Sequence, residues 1–494
     1  MICFEDDPEI SCASCDVPAK TKCSCGEDYC EECYKRHLLR RPAHFKLDKR
    51  LQSVWKWVSG KCEILMDDVS QHTQFERDEG AKWFGLHIEK RDTNRIARIV
   101  ETARFTSLAE DSIYKAHASP SRQFPRLVSF VGETGAGKST LIRSLIWDSA
   151  KCIDGALDKY DAPVPGSSNG AGAFSSTTGE VSLYPDPITF GTSSPCFYVD
   201  CEGTSGAEPV SSRHQSRWYG KGREYLLQTE DGTPLDRSTA VKTIYPKFLY
   251  LFSEVICMVT KNPRTCAETV IKLLKWGEAG ANNAVNLHAL PAVIIILNQP
   301  QVEDVRWLSS DMDVVKKDFF DSIDRELEEN NELRAMAQKE DDQTLEDLLL
   351  RKFSSIHVFY VPSIGHSQFG TPETVLKQTG LLFQCIREES YRVHNVKAKT
   401  WKQFDSNQLS ILFDYAFKHF AKRSNEPFDF SRCRSQIGLP ETAESHITQF
   451  LQCSLRDRVD KNFLYAADAV GSSLVRNALK GKDAGKCIWR VCTM

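Results

Sequence analysis

The sequence predicts an α/β fold with a mostly parallel sheet, and three observations carry that prediction. Apolar, β-rich segments of strand length recur along the middle of the chain: LVSFV (127–131), FYV (197–199), AVIIIL (292–297) and SIHVFYV (355–361). Stretches with helical spacing accompany them, the first being STLIRSLI directly after the first strand. Between that strand and that helix lies a glycine-rich turn, GETGAGK, the usual form of a strand–loop–helix unit.

At 494 residues the chain is long enough for about two to four domains. Its 41% hydrophobic and 26% charged residues are ordinary for a globular protein. A net charge of -4 removes any bulk electrostatic pull toward nucleic acid or an anionic membrane. No apolar run approaches the roughly 20 residues of a membrane span, and the acidic start MICFEDDPEI is not a signal peptide. Near the end, Cys492 falls one place too late for a prenylation box. These features predict a cytoplasmic protein without a transmembrane segment.

Four regions follow from the patterning. Residues 1–48 form a cysteine-rich module, and 49–122 a helical bridge whose Trp55, Trp57, Trp83 and Phe84 supply an aromatic core. Residues 123–395 hold the strands and the glycine-rich turn, and 396–494 a helical C-terminal region.

Of 18 cysteines, seven fall within the first 33 residues, a density that points to metal rather than disulfides. Cys12 and Cys15, Cys23 and Cys25, Cys30 and Cys33, with His37 and His44, make eight donors, enough for two tetrahedral zinc ions. Few apolar residues accompany them, so metal binding would supply much of the module's folding free energy. The arrangement resembles a B-box zinc finger, usually a protein-interaction or self-association element. That resemblance implies one ion on Cys12, Cys15, Cys30 and Cys33, and a second on Cys23, Cys25, His37 and His44. Many B-boxes place an aspartate in the second site, so Asp28 competes there with Cys25.

The turn after the first strand satisfies Gly132-x4-Gly137-Lys138-Ser139, with an extra glycine at Gly135. Such a loop wraps phosphates with backbone N–H groups from Gly132, Glu133, Thr134, Gly135, Ala136 and Gly137, continuing through Thr140 at the helix start. Lys138 would reach the β- and γ-phosphates, and Ser139 would ligate Mg2+. The strand FYV ends at Asp200, and Asp200-x2-Gly203 has the spacing of a carboxylate near the metal followed by a γ-phosphate sensor. Between them, the Gly- and Ser-rich segment 163–185 offers Thr177 or Thr178 to close over Mg2+. Together these motifs predict a P-loop NTPase fold of the G-domain type, with Lys138, Asp200, Gly203 and either Thr177 or Thr178 as the catalytic set.

The combination of GETGAGKST, SSTTGEV and VDCEG resembles the large P-loop GTPases of the guanylate-binding and very large inducible type, in the wider dynamin-like group. The resemblance spans about residues 120–395 and lies in the phosphate motifs. In guanylate-binding proteins the switch threonine is followed by x-Gly, which favours Thr177 as the Mg2+ ligand.

Base recognition departs from the common pattern. After AVIIIL comes NQPQVED, in which Asn298 starts the expected motif while Gln299 and Gln301 replace its lysine and aspartate. Asp304 lies three residues on, and Ser363 follows the last strand as a plausible base contact. GTP is the expected nucleotide, with ATP as the alternative. Thr204 stands where many small GTPases place a water-orienting glutamine, and no arginine lies in the loop. Slow hydrolysis, accelerated by a protein partner or by self-association through the zinc module and G domain, is therefore expected. Arg213, Arg217 and Arg223 could supply a finger in a dimer, though a solvated basic loop is the simpler reading. A catalytically inert, nucleotide-bound scaffold is the alternative outside the enzyme class, and nucleic-acid binding by the zinc module is disfavoured by its mixed charge.

Overall fold

The computed structural model describes residues 11–15, 17–22, 28–40, 80–91, 94–118, 123–150, 160–163, 180–204, 222–228, 237–262, 266–280, 289–300, 305–340, 344–363, 372–400, 402–433, 443–456, 462 and 464–472. Two short strands, β1 (Thr21–Lys22) and β2 (Asp28–Tyr29), pair antiparallel beside the helix Glu31–Arg40. They form a small module of their own around Cys12, Tyr29 and Cys30.

The large sheet has nine strands: β3 (Lys82–Arg91), β4 (Asn94–Glu101), β5 (Arg126–Gly132), β6 (Val181–Pro185), β7 (Cys196–Cys201), β8 (Arg223–Leu226), β9 (Val255–Thr260), β10 (Ala292–Asn298) and β11 (Ser355–Val361). Their spatial order is β11-β10-β9-β5-β7-β6-β3-β4-β8. From β11 to β7 every neighbouring pair is parallel, and from β7 to β8 every pair is antiparallel. The expected parallel sheet is therefore present and is extended by an antiparallel flank.

Helices cover both faces, which explains the nearly continuous apolar runs of the parallel strands. Along β10, Val293, Ile295 and Leu297 enter one core, and Ala292, Ile294 and Ile296 enter the other. The first core also takes the helices Tyr245–Phe252, Cys266–Gly277 and Ser406–Lys422; the second takes Lys138–Ala150 and Pro372–Lys399.

The expectation of a helical bridge over 49–122 needs correction. Strands Lys82–Arg91 and Asn94–Glu101 pair antiparallel as the β3–β4 hairpin, and helix follows at Arg104–Ala116; residues 49–79, 92–93 and 119–122 lie outside the described residues. The aromatic content did mark core. Trp83 and Phe84 are fully buried in the same cluster, where Trp83 packs on Phe105, Phe248 and Phe413, and Phe84 on Tyr245 and Phe417. A register shift between Lys82 and Phe84 in the pairing with β6 accompanies this. Such a bulge turns two consecutive side chains toward one core and blurs the period-2 pattern of a strand.

The C-terminal helices fall where expected, at Ser406–Lys422 and Ala443–Arg456, with further helix over 464–472. Asp405 and Gln408 close a capping box at the start of the first. That helix is an integral part of the α/β core, because Phe413 and Phe417 meet the hairpin aromatics. Among the described residues no helix is long and apolar enough to cross a membrane.

Candidate functional site

The glycine-rich loop leaves β5 at Gly132 and enters the helix at Lys138, at the C-terminal edge of the parallel strands. Gly132 has a φ of 135°, and a Cβ there would lie 2.0 Å from the Val259 carbonyl oxygen. Only glycine permits both that backbone and that approach. The loop is braced from three sides. Glu133 N–H donates to Val259 O at 3.3 Å, and Thr204 N–H donates to Gly132 O at 3.1 Å. The Asn298 side-chain amide donates to Ala136 O at 2.7 Å. Asn298 was expected at the base; the structure brings its amide to the loop itself.

Lys138 is buried and donates to Glu133 O at 2.8 Å and Gly132 O at 3.4 Å. Burial pulls its pKa below the usual lysine value, against the opposing pull of Asp200, Cys201, Glu202 and Glu133. Ser139 Oγ donates to Asp200 Oδ2 at 2.6 Å, although 61 residues separate them. Asp200 ends the run of β7 that lies beside β5, with Phe130 as its register partner. Gly203 packs directly on the loop: a Cβ there would fall 2.4 Å from both Cα and Oγ1 of Thr134. The structure thus gathers Gly132 through Ser139, Asp200, Gly203 and Asn298 at one place, with Thr140 in the first turn of the helix. Ser363 sits half-buried just beyond the end of β11. Thr177 and Thr178 lie outside the described residues, as do Gln301, Asp304, Arg213 and Arg217. Arg223 is held by Glu101, at 2.8 Å.

Amide groups, a buried ammonium, a hydroxyl and a carboxylate form a donor set suited to an anion with a hard divalent cation. Ser139 and Asp200 supply hard oxygens of the kind Mg2+ takes, at the edge of the loop.

Sequence reasoning missed a buried charge cluster beside this site. Arg237, on a single helical turn (Arg237–Thr239), donates to Glu180 Oε1 from both Nη atoms at 3.1 Å and to Glu202 Oε2 at 2.5 Å. Its Nε reaches Glu202 Oε1 at 3.3 Å, and its Nη1 the Leu86 carbonyl at 3.4 Å. Glu180 also accepts from Leu86 N–H at 2.6 Å and from Tyr245 OH at 3.3 Å. Burial and the neighbouring Glu180 push the Glu202 carboxyl up to about 7, against the pull of Arg237. Glu180 follows the SSTTG motif and Glu202 lies inside DCEG, so both were in view in the sequence. Arg237 belongs to no motif and carried no signal.

In the N-terminal module, Cys12, Cys15, Cys30 and Cys33 converge, with all four sulfurs within 4.8 Å of one another. The Cys15 sulfur is 3.7 Å from those of Cys30 and Cys33. Sulfurs tetrahedrally bound to zinc are about 3.8 Å apart, so the cluster is compatible with one zinc ion. Cys23, Cys25 and His44 lie outside the described residues. His37 stacks on Tyr29 with ring centroids 4.6 Å apart.

The chain matches no family model and no curated protein.

Proposed function

We propose that this protein binds GTP with Mg2+ and hydrolyses it slowly, as a cytoplasmic nucleotide-regulated switch or assembly protein with a zinc-stabilised interaction module. The observation that carries the reading is the Ser139–Asp200 contact beside the buried Lys138, on a loop whose backbone amides open a helix. Among the described residues Lys138 donates to two neutral carbonyls, so a phosphate in the loop would favour its charged form against the effect of burial. The strand order β6-β7-β5-β9-β10-β11, with β6 alone antiparallel, supports a G-domain architecture. Bonding of Asn298 to Ala136 O supports a base-side loop coupled to the phosphate loop. Thr177, Ser139 and Asp200 are the Mg2+ set in this reading, and Ser363 contacts the base. Described cysteines are free thiols, which suits a reducing compartment.

The zinc module would hold one ion on Cys12, Cys15, Cys30 and Cys33, and a second on Cys23, Cys25, His37 and His44. Its place is in self-association or in binding a protein partner. A second reading, ATP on the same loop, is favoured by Gln299 and Gln301 in place of the guanine-reading motif.

Calorimetric titration of the zinc-loaded protein with non-hydrolysable GTP and ATP analogues, with and without Mg2+, separates these readings. Mg2+-dependent binding of the GTP analogue, lost in Lys138→Ala, is the expected result. Preference for the ATP analogue would select the second reading. Binding of neither would end the nucleotide assignment and leave an interaction scaffold.

A further inference from the structure

We propose that the hydroxyls of Thr134 and Thr204 hold the terminal phosphate and its attacking water, doing together the work of the glutamine that Thr204 replaces. The inference rests on the nucleotide reading above and names the side chains that act in its hydrolytic step.

Two features place these residues. Thr134 is in the phosphate loop and Thr204 follows Gly203, whose absent side chain lets the two segments touch at Thr134. The Thr204 backbone is fixed to the same loop by its bond to Gly132 O at 3.1 Å. Both residues therefore flank Gly203, Thr134 on the loop that carries Lys138 and Ser139 and Thr204 on the segment bonded to it.

A third feature says that something is meant to meet them. Thr134 Oγ1 and Thr204 Oγ1 are shielded from solvent and have no hydrogen-bond partner among the described residues. Thr204 is only 7% exposed. Buried serine and threonine hydroxyls elsewhere among the described residues are paired: Ser129 with Ser253 at 2.7 Å, and Thr189 donates to Asp186 at 2.8 Å. Among the described residues these two threonines are the serine or threonine hydroxyls buried without a partner, and their residues flank Gly203. A buried hydroxyl without a partner costs free energy that a ligand can recover. Chance would not place two such costs at the motif reserved for the γ-phosphate.

In the step itself, the water oxygen forms a bond to the γ-phosphorus. The bond from that phosphorus to the β–γ bridging oxygen breaks, and its electron pair leaves with the nucleoside diphosphate. The water's proton ends on the released phosphate. Thr204 accepts a hydrogen bond from the water, and Thr134 donates to a γ-phosphate oxygen. Neither hydroxyl changes its protonation, so they orient rather than abstract, which agrees with slow turnover.

Thr204→Val and Thr134→Val keep the side-chain shape and remove the hydroxyl. Three measurements on the full, zinc-loaded chain decide the matter: binding of a fluorescent non-hydrolysable GTP analogue, single-turnover GTP hydrolysis, and melting temperature without nucleotide. For Thr204→Val, affinity should stay within about 3-fold while hydrolysis falls at least 10-fold, and Thr204→Ser should restore most of the rate. Thr134→Val should lose both affinity and rate. Neither valine variant should melt earlier than wild type, since no existing hydrogen bond is removed. A merely structural hydroxyl would lower that temperature instead. Wild-type hydrolysis in Thr204→Val with intact binding would overturn the proposal and leave the nucleotide reading standing. Wild type that binds GTP without hydrolysing it would do the same. If wild type binds no guanine nucleotide, both fall together. Should one variant not fold, the other, with its serine counterpart, decides in the same way.

Discussion

Arg237 is the residue whose loss should be felt most widely. Arg237→Met removes the guanidinium that serves two carboxylates, Glu180 and Glu202, whose side chains are 5% and 6% exposed. Breaking one partner out of a buried ion cluster costs about 3–5 kcal/mol, because the remaining charges stay buried and unpaired. Here Glu202 can partly escape by taking up a proton. Glu202 already sits at about 7, raised by burial and by Glu180. A carboxyl whose folded pKa exceeds its unfolded one adds stability below the unfolded value and loses it as pH rises through the folded one. Removing Arg237 takes away the guanidinium that holds the Glu202 carboxyl down, so that carboxyl rises further. The variant should therefore lose about 4 kcal/mol at pH 8 and clearly less at pH 6. Urea denaturation at the two pH values, followed by tryptophan fluorescence, is the assay. The triple variant Glu180→Gln, Glu202→Gln, Arg237→Met should recover part of the loss and flatten its pH dependence. A loss below about 1 kcal/mol, or an equal loss at both pH values, would refute the reasoning.

Two further outcomes follow from the remaining charged and metal-ligating groups. Cys30→Ser should reduce the zinc bound per chain by one equivalent, read by colorimetric release assay. Unchanged metal content would remove Cys30 from the site. Glu389 is held down at about 2: burial pushes it up, but His357, Arg392 and Ser355 outweigh that, with the Arg392 guanidinium at 2.7 Å and His357 at 3.6 Å. Its contribution, on the order of 2 kcal/mol after screening, is present above the unfolded pKa of about 4.5 and is lost as pH falls from there toward 2. Glu389→Gln should flatten the acid limb of the stability profile; an unchanged limb would show that the ion pair is not formed in solution.

The parts of this protein legible in its sequence are those built from neighbours along the chain. From Gly132 to Ser139 the loop's glycines, lysine and serine fall within one turn between a strand and a helix, so spacing alone defines them. Cys12, Cys15, Cys30 and Cys33 were legible for the same reason, since each CxxC pair is a local knuckle. Asp200 and Gly203 could be placed because a strand end is also a local signal.

Tertiary structure alone decided the rest. The β3–β4 hairpin hid behind its bulge, which sends the consecutive Trp83 and Phe84 into one core and breaks the alternation that marks a strand. Asn298 meets Ala136 across 162 residues, and Arg237 meets Glu180 across 57. No periodicity encodes such a meeting, because it depends on which strands become neighbours in the sheet. The pairing of β5 with β7 brings Ser139 to Asp200, and Gly203's missing side chain lets its segment close on Thr134. Local chemistry is written in spacing, whereas the company a side chain keeps is set by packing, and packing is a property of the whole chain.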